Sequence, residues 1–145
     1  MADETTRPID DEALDTIIQL ASTHRLVDRT YIDTNDGGRR ELRIDLDLNG
    51  YPASVVGASL RVTWHTNDDY RFHYREEWDA DERWQCRWDR HPHTHDAARK
   101  HFHEPPNAAK EPTSDSVTTI EPYHLFARTM ANVSERIERM WMESS

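Results

Sequence analysis

A chain of 145 residues, 35% hydrophobic and 32% charged, carries apolar material for one modest core and too little for two. No apolar run approaches the roughly 18 residues of a membrane span, and the opening Met1-Ala2-Asp3-Glu4 is acidic where a signal peptide would be basic. The lone Cys86 excludes an intrachain disulfide and a multi-cysteine zinc motif, so a soluble, cytoplasmic protein without membrane contact is expected.

A net charge of -10 opposes nucleic acid at first sight, because phosphate binding draws on Lys and Arg. The make-up of the charge offers a second reading. Sixteen of the eighteen basic residues are Arg, only Lys100 and Lys110 are Lys, and sixteen Asp outnumber twelve Glu. An acidic, lysine-poor surface of this kind suits a halophilic protein, whose high-salt cytoplasm screens repulsion within a few Å. The overall sign then says little about partners, and the distribution of charge says more.

In chain order, residues 1–10 lack periodicity and read as a flexible tail. Asp10 or Asp11 can cap a helix over about 11 to 23, in which Leu14, Ile17, Ile18 and Ala21 recur at helical spacing. Leu26-Val27 and Tyr31-Ile32 lead through the turn signal Asn35-Asp36-Gly37-Gly38 into Arg39–Asn49, where Leu42, Ile44, Leu46 and Leu48 alternate with Arg43, Asp45 and Asp47; together they predict a hairpin. Three further strands follow at Leu60–His65, Tyr70–Glu76 and Arg83–Asp89, separated by turns at 67–69 and 79–82.

Parity places Leu60, Val62, Trp64, Tyr70, Phe72, Tyr74, Trp84, Cys86 and Trp88 on one core face. The opposite face receives Arg61, Thr63, His65, Arg71, His73, Arg75, Arg83, Gln85, Arg87 and Asp89. Five arginines and two histidines on one face of an acidic protein form a plausible bed for phosphates, with Arg71, Arg75, Arg87 and His73 as its contacts. The alternative is pairing with Glu76, Glu77 and Glu82 on an ordinary solvated face. Pro105–Thr119 reads as loop, and Pro122 opens a long helix whose stripe runs Leu125, Phe126, Met130, Val133, Ile137 and Trp141.

Five of the nine histidines fall between positions 91 and 103, directly after the Trp-rich strand. His91, His93, His101 and His103 suit general acid–base work on a phosphodiester, in which one imidazole takes a proton, another returns one, and Arg stabilises the charged phosphorus centre. Asp89 is the orienting carboxylate for one ring. A divalent metal is the second option, with His91, His93, His95 and His103 as ligands; no cofactor is required by the spacing itself. The third option is a polar surface loop without chemistry. Cys86 falls on the core side, where a thiol is a small hydrophobe and not a nucleophile.

Arg87-Trp88-Asp89-Arg90-His91-Pro92-His93, followed about ten residues later by His101-Phe102-His103, resembles the pattern of the TumE family, small toxins of prokaryotic toxin–antitoxin pairs. The Asp36-Gly37 hairpin, the aromatic strand Tyr70–Tyr74 and the closing helix follow in the family's order, so the resemblance spans roughly residues 25 to 143, although its specific part is 87–103. It implies growth inhibition relieved by a cognate helix-turn-helix antitoxin, and no single settled reaction. Action on RNA as a His-based ribonuclease is an inference from the histidines and arginines. The competing class is a non-enzymatic binding or regulatory module, or a His-rich metal-binding domain, that works through a protein partner. Oligomeric state is left open. The expected architecture is one α+β domain over residues 11–145: a helix, an antiparallel meander of about five strands, a histidine-bearing loop and a long C-terminal helix across the sheet.

Overall fold

The computed structural model describes residues 7–34, 37–91, 100–115 and 119–143. Each segment with period-two alternation becomes a strand: β1 (Val27–Thr34), β2 (Arg40–Leu46), β3 (Val55–Trp64), β4 (Tyr70–Trp78) and β5 (Arg83–Arg90). Two short strands, β6 (Lys100–His103) and β7 (Thr113–Ser114), extend the sheet to seven among the described residues, two more than expected. All pairs are antiparallel and follow chain order, so the sheet is a pure meander. Consecutive antiparallel strands need only short connections, which explains why turn signals recur so closely along the chain. Before β2 the backbone turns at Gly38 with φ of +78°, a conformation in which a side chain would be strained.

Helix α1 (Asp11–Ser22) starts at an Asp10 cap, whose carboxylate accepts from the Ala13 amide at 3.1 Å. It buries Ala13, Leu14, Ile17 and Ala21. Pro8 to Asp10 run beside the end of β3, with Ile9 bridging His65 and the Asp10 amide donating to the Trp64 carbonyl at 2.8 Å. Helix α2 (Pro122–Glu143) lies over the same apolar face, with Leu125, Phe126, Met130, Val133, Ile137 and Met140 buried. Met140, and not Trp141, ends the buried stripe; Trp141 is half exposed and donates its indole N–H to the Gly50 carbonyl at 2.9 Å. Leu48 is likewise outside the core, because the chain leaves β2 into a 3₁₀ turn at Leu48–Gly50. None of the described helices is long and apolar enough to cross a membrane.

The alternation predicted for the sheet holds in β3 to β5. Leu60, Val62, Trp64, Tyr70, Phe72, Tyr74, Cys86 and Trp88 are all buried, and the partly exposed Trp84 is covered by the Arg136 guanidinium at 3.8 Å. The same parity carries Glu76 into the core, fully buried. It does not pair with the arginines of the opposite face, as the solvated-face reading had it; it accepts from Tyr74 Oη at 2.6 Å, Trp78 Nε1 at 3.0 Å and both Nε and Nη2 of Arg136 at 3.2 and 3.0 Å. This buried charge is tolerated because α2 delivers a bidentate partner. Cys86 sits in the same layer, where burial pushes its thiol up to about 12, so it stays protonated and unreactive in the folded state.

Candidate phosphate and histidine site

The face turned away from the helices is ordered by strand register into cross-strand rows. One row runs Arg43, Arg61, His73, Arg87 and His103 over β2 to β6; the next runs Thr63, Arg71, Asp89, His101 and Ser114 over β3 to β7. His101 and His103 are therefore strand residues and not part of a histidine-bearing loop. Phe102 between them points to the core side against Trp88, with ring centroids 5.2 Å apart, which turns both histidines onto the face that carries Arg87 and Asp89. A four-residue strand with one apolar residue carries too little periodicity to be read from sequence.

Asp89 is the hub of this corner. It is only 3% exposed, and its Oδ2 accepts from Arg87 Nε at 3.0 Å and faces His103 Nε2 at 3.2 Å. Its Oδ1 lies 3.6 Å from His101 Nδ1 and 3.7 Å from His91 Nε2, and has no hydrogen-bond partner within normal range. The two rings meet directly, His101 Nδ1 to His91 Nε2 at 3.2 Å. His101 and His103 are buried, whereas the His91 side chain is 42% exposed and is the ring of the three that solvent or substrate reaches.

His103 is held from the far side. Its Nδ1–H donates to the Ala109 carbonyl at 2.7 Å, and its Nε2 lies 3.2 Å from Arg87 Nη2, a group that can only donate. The Ala109 carbonyl was invisible as a functional group in the sequence. It is brought into place because the chain after β6 returns along β5: the Gln85 amide donates to the Pro106 carbonyl at 2.8 Å, and the Ala108 amide to the Gln85 carbonyl at 3.1 Å.

The predicted residues are therefore partly assembled. Asp89, His91, His101, His103 and Arg87 form one contiguous cluster, and Arg71 stands beside Asp89 in register. Arg71 is exposed and makes no ion pair among the described residues, unlike Arg87 with Asp89, Arg83 with Glu77 at 3.5 Å and Arg61 with Glu41 at 3.8 Å. Arg75 stands one row further away, and its Nε lies 2.7 Å from Glu77 Oε1; of the predicted phosphate contacts it is the one the fold separates from the cluster. Glu77 thus does serve as an acidic neighbour for this face. His93 and His95 lie outside the described residues. Of the two expected metal ligands among the described residues, His91 joins a ligand-like group, which it shares with Asp89 and His101, while both nitrogens of His103 are engaged otherwise.

A separate open groove of about 730 Å³ lies on the same face, lined in part by Arg29, Arg43, Arg61 and Arg75. Its cations are compensated internally, by Asp45 at 2.7 Å from Arg29 and 3.2 Å from Arg43 and by Glu77 at 2.7 Å from Arg75. Charge left over for a phosphate therefore collects near Arg71 and not in this groove.

His73 lies between the two regions. Its Nε2–H donates to Gln85 Oε1 at 2.8 Å, and its neighbours in register are Arg61 and Arg87. Burial first, and then Arg87, Arg71 and Arg75, hold its pKa below 6.5, with the Gln85 bond acting in the opposite sense. The unfolded chain therefore binds this proton more readily. The stability linked to neutral His73 is present above pH 6.5 and is lost as pH falls below it, through the folded value. Urea midpoints measured at about pH 7.5 and about pH 5.5 should accordingly diverge less for His73→Gln than for the parent. An equal divergence would assign the acid sensitivity to other groups, of which His24, lowered by burial and Arg25, is the next.

The family model described as Toxin TumE matches residues 14–139, most of the chain and all of the site just described. The chain belongs to the TumE toxin family. No curated protein and no solved structure matches it. Membership makes it a toxin of the toxin–antitoxin type and implies an antitoxin partner. For a TumE protein the position of the cluster is informative. The motif Arg87-Trp88-Asp89-Arg90-His91 is a strand end in which Trp88 anchors to the core, Arg90 is tied to Asp69 Oδ1 at 2.9 Å and the Asn67 carbonyl at 3.1 Å, and Arg87, Asp89 and His91 are left for the open face.

Proposed function

We propose that this TumE toxin acts on RNA, as a ribonuclease whose imidazoles and arginines handle one phosphodiester. The observation that carries this reading is the juxtaposition of an exposed Arg71, which makes no ion pair among the described residues, with Asp89, His101, His103 and Arg87 in two adjacent rows of one open face and His91 beside them. In this reading Arg71 binds the phosphate through its planar fork, and Arg87 adds positive charge where negative charge develops at the phosphorus centre. One imidazole takes the proton of the attacking hydroxyl and a second returns one to the leaving oxygen; since His101 and His103 are buried, His93, outside the described residues, is the candidate for the second role beside His91. His91 is the ring that meets substrate; Asp89 supplies negative charge beside all three rings, while His103 is oriented by the Ala109 carbonyl and Arg87. His73, neutral and bonded to Gln85, lines the same face without exchanging protons.

The net charge of -10 is reconciled with an RNA substrate by locality, since contact with a phosphate is made by the few cations of one face and the remaining repulsion is screened at high salt. Toxicity is relieved by a helix-turn-helix antitoxin encoded beside the toxin, acting in the cytoplasm.

The test is incubation of purified protein with single-stranded RNA in high salt, with and without chelator. Cleavage in both conditions is the expected result for imidazole chemistry. Cleavage lost with chelator would assign the chemistry to a metal, and its absence in both conditions, together with retained toxicity, would remove the ribonuclease reading.

A further inference from the structure

We propose that Asp89 Oδ1, His91 Nε2 and His101 Nδ1 form a three-ligand site for a divalent transition metal of the zinc class. The three atoms lie 3.2, 3.6 and 3.7 Å apart. A tetrahedral ion with bonds of about 2.0–2.2 Å places its ligand atoms about 3.3–3.6 Å from one another, so the triangle already has the required edges to within a few tenths of an ångström. The atoms that give this triangle are one ligand atom per residue, shared consistently by all three distances.

A buried oxygen points to a cation, and the neighbouring rings are placed to share it. Asp89 is almost fully buried, and Oδ1 is the carboxylate oxygen without a hydrogen-bond donor, although such an oxygen is costly to leave unsatisfied. The two ring nitrogens meet at 3.2 Å, close enough that either one N–H or a shared cation can bridge them, so loading an ion needs little movement of the rings. The other carboxylate oxygen is fixed by Arg87 Nε, the kind of outer contact that orients a ligating carboxylate.

Two imidazoles and one carboxylate select Zn²⁺, Co²⁺ or Ni²⁺ over Mg²⁺ and Ca²⁺, which prefer all-oxygen shells. Three protein ligands leave a fourth position for an exogenous group, the pattern of catalytic rather than closed structural sites. With Arg71 and Arg87 on the same face, an anion such as a phosphate oxygen is the favoured occupant of that position. The site differs from the expected set of His91, His93, His95 and His103, because Asp89 and His101 enter it and His103 is engaged elsewhere.

An ion held there would occupy His91 Nε2 and His101 Nδ1, so the loaded protein would not use those nitrogens as acid and base, and metal binding is a state of the cluster separate from the metal-free chemistry. The test reads metal binding alone, so failure of the ribonuclease reading leaves its outcome unchanged. Chelator-stripped full-length protein is titrated with Zn²⁺ by calorimetry and with Co²⁺ by visible absorption, in the presence of excess Mg²⁺. The expected result is one equivalent bound with the absorption of a four-coordinate Co²⁺, weakened more than about 100-fold in both Asp89→Asn and His91→Ala. His91 is half exposed, so its variant keeps the experiment interpretable if Asp89→Asn fails to fold. Absence of Zn²⁺ and Co²⁺ binding, or binding retained in His91→Ala and in a folded Asp89→Asn, would overturn the proposal.

Discussion

Replacement of Glu76 by Ala is expected to lower the free energy of unfolding by about 3–5 kcal/mol, measured by urea denaturation followed through Trp fluorescence. Four donor atoms converge on this fully buried carboxylate, and the substitution leaves Tyr74, Trp78 and Arg136 without it at once. Arg136 is the costly member. Its side chain is 20% exposed and stacked on Trp84, so its charge would be left in a half-buried position without a counterion. Tyr74 keeps a bond to Tyr51 at 2.7 Å, which limits its share of the loss. The double variant Glu76→Met with Arg136→Met should recover most of the stability, because removing a buried pair together spares the uncompensated charge. A loss below about 1 kcal/mol in Glu76→Ala would mean that Arg136 swings into solvent and that the network is peripheral.

Exchange of His91 for Ala is expected to reduce RNA cleavage by roughly 10²–10⁴-fold while changing stability by less than about 0.5 kcal/mol. The separation of the two effects follows from exposure. His91 follows the last residue of β5 with 42% of its side chain in solvent, whereas His101 and His103 are packed into the sheet and their removal would disturb folding as well. Growth inhibition on expression of the variant should fall in parallel. Toxicity that persists with full potency, with antitoxin binding weakened instead, would turn the cluster into a protein interface and favour the non-enzymatic module.

Most of the sheet was legible because its strands are half buried, and a half-buried strand must alternate. Leu60, Val62 and Trp64, or Tyr70, Phe72 and Tyr74, leave no choice of face once one of them is inside. Parity also implied that Glu76 shares the face of Tyr74. The weight given to its charge concealed that, since a lone carboxylate is expected in solvent unless a partner is known, and Arg136 lies sixty residues away.

Local sequence by itself determined the helix and strand segments, the side of the sheet on which each strand residue falls, and the clustering of histidines around the Arg87–His91 motif. Tertiary structure decided which of these residues form a site. Lys100–His103 has no periodicity of its own and becomes a strand because β5 offers an unpaired edge; pairing in that register sets His101 against Asp89 and His103 against Arg87. The same register set Arg71 beside Asp89, with no ion pair among the described residues, whereas Arg75 meets Glu77 two residues along its own strand, a pair that alternation alone puts on one face. The reason is physical. Alternation, and with it a pair such as Arg87 with Asp89, is a property of neighbours along the chain, whereas the contacts of Asp89 with His101 and His103 come from pairing between strands and are set only when the strands have met.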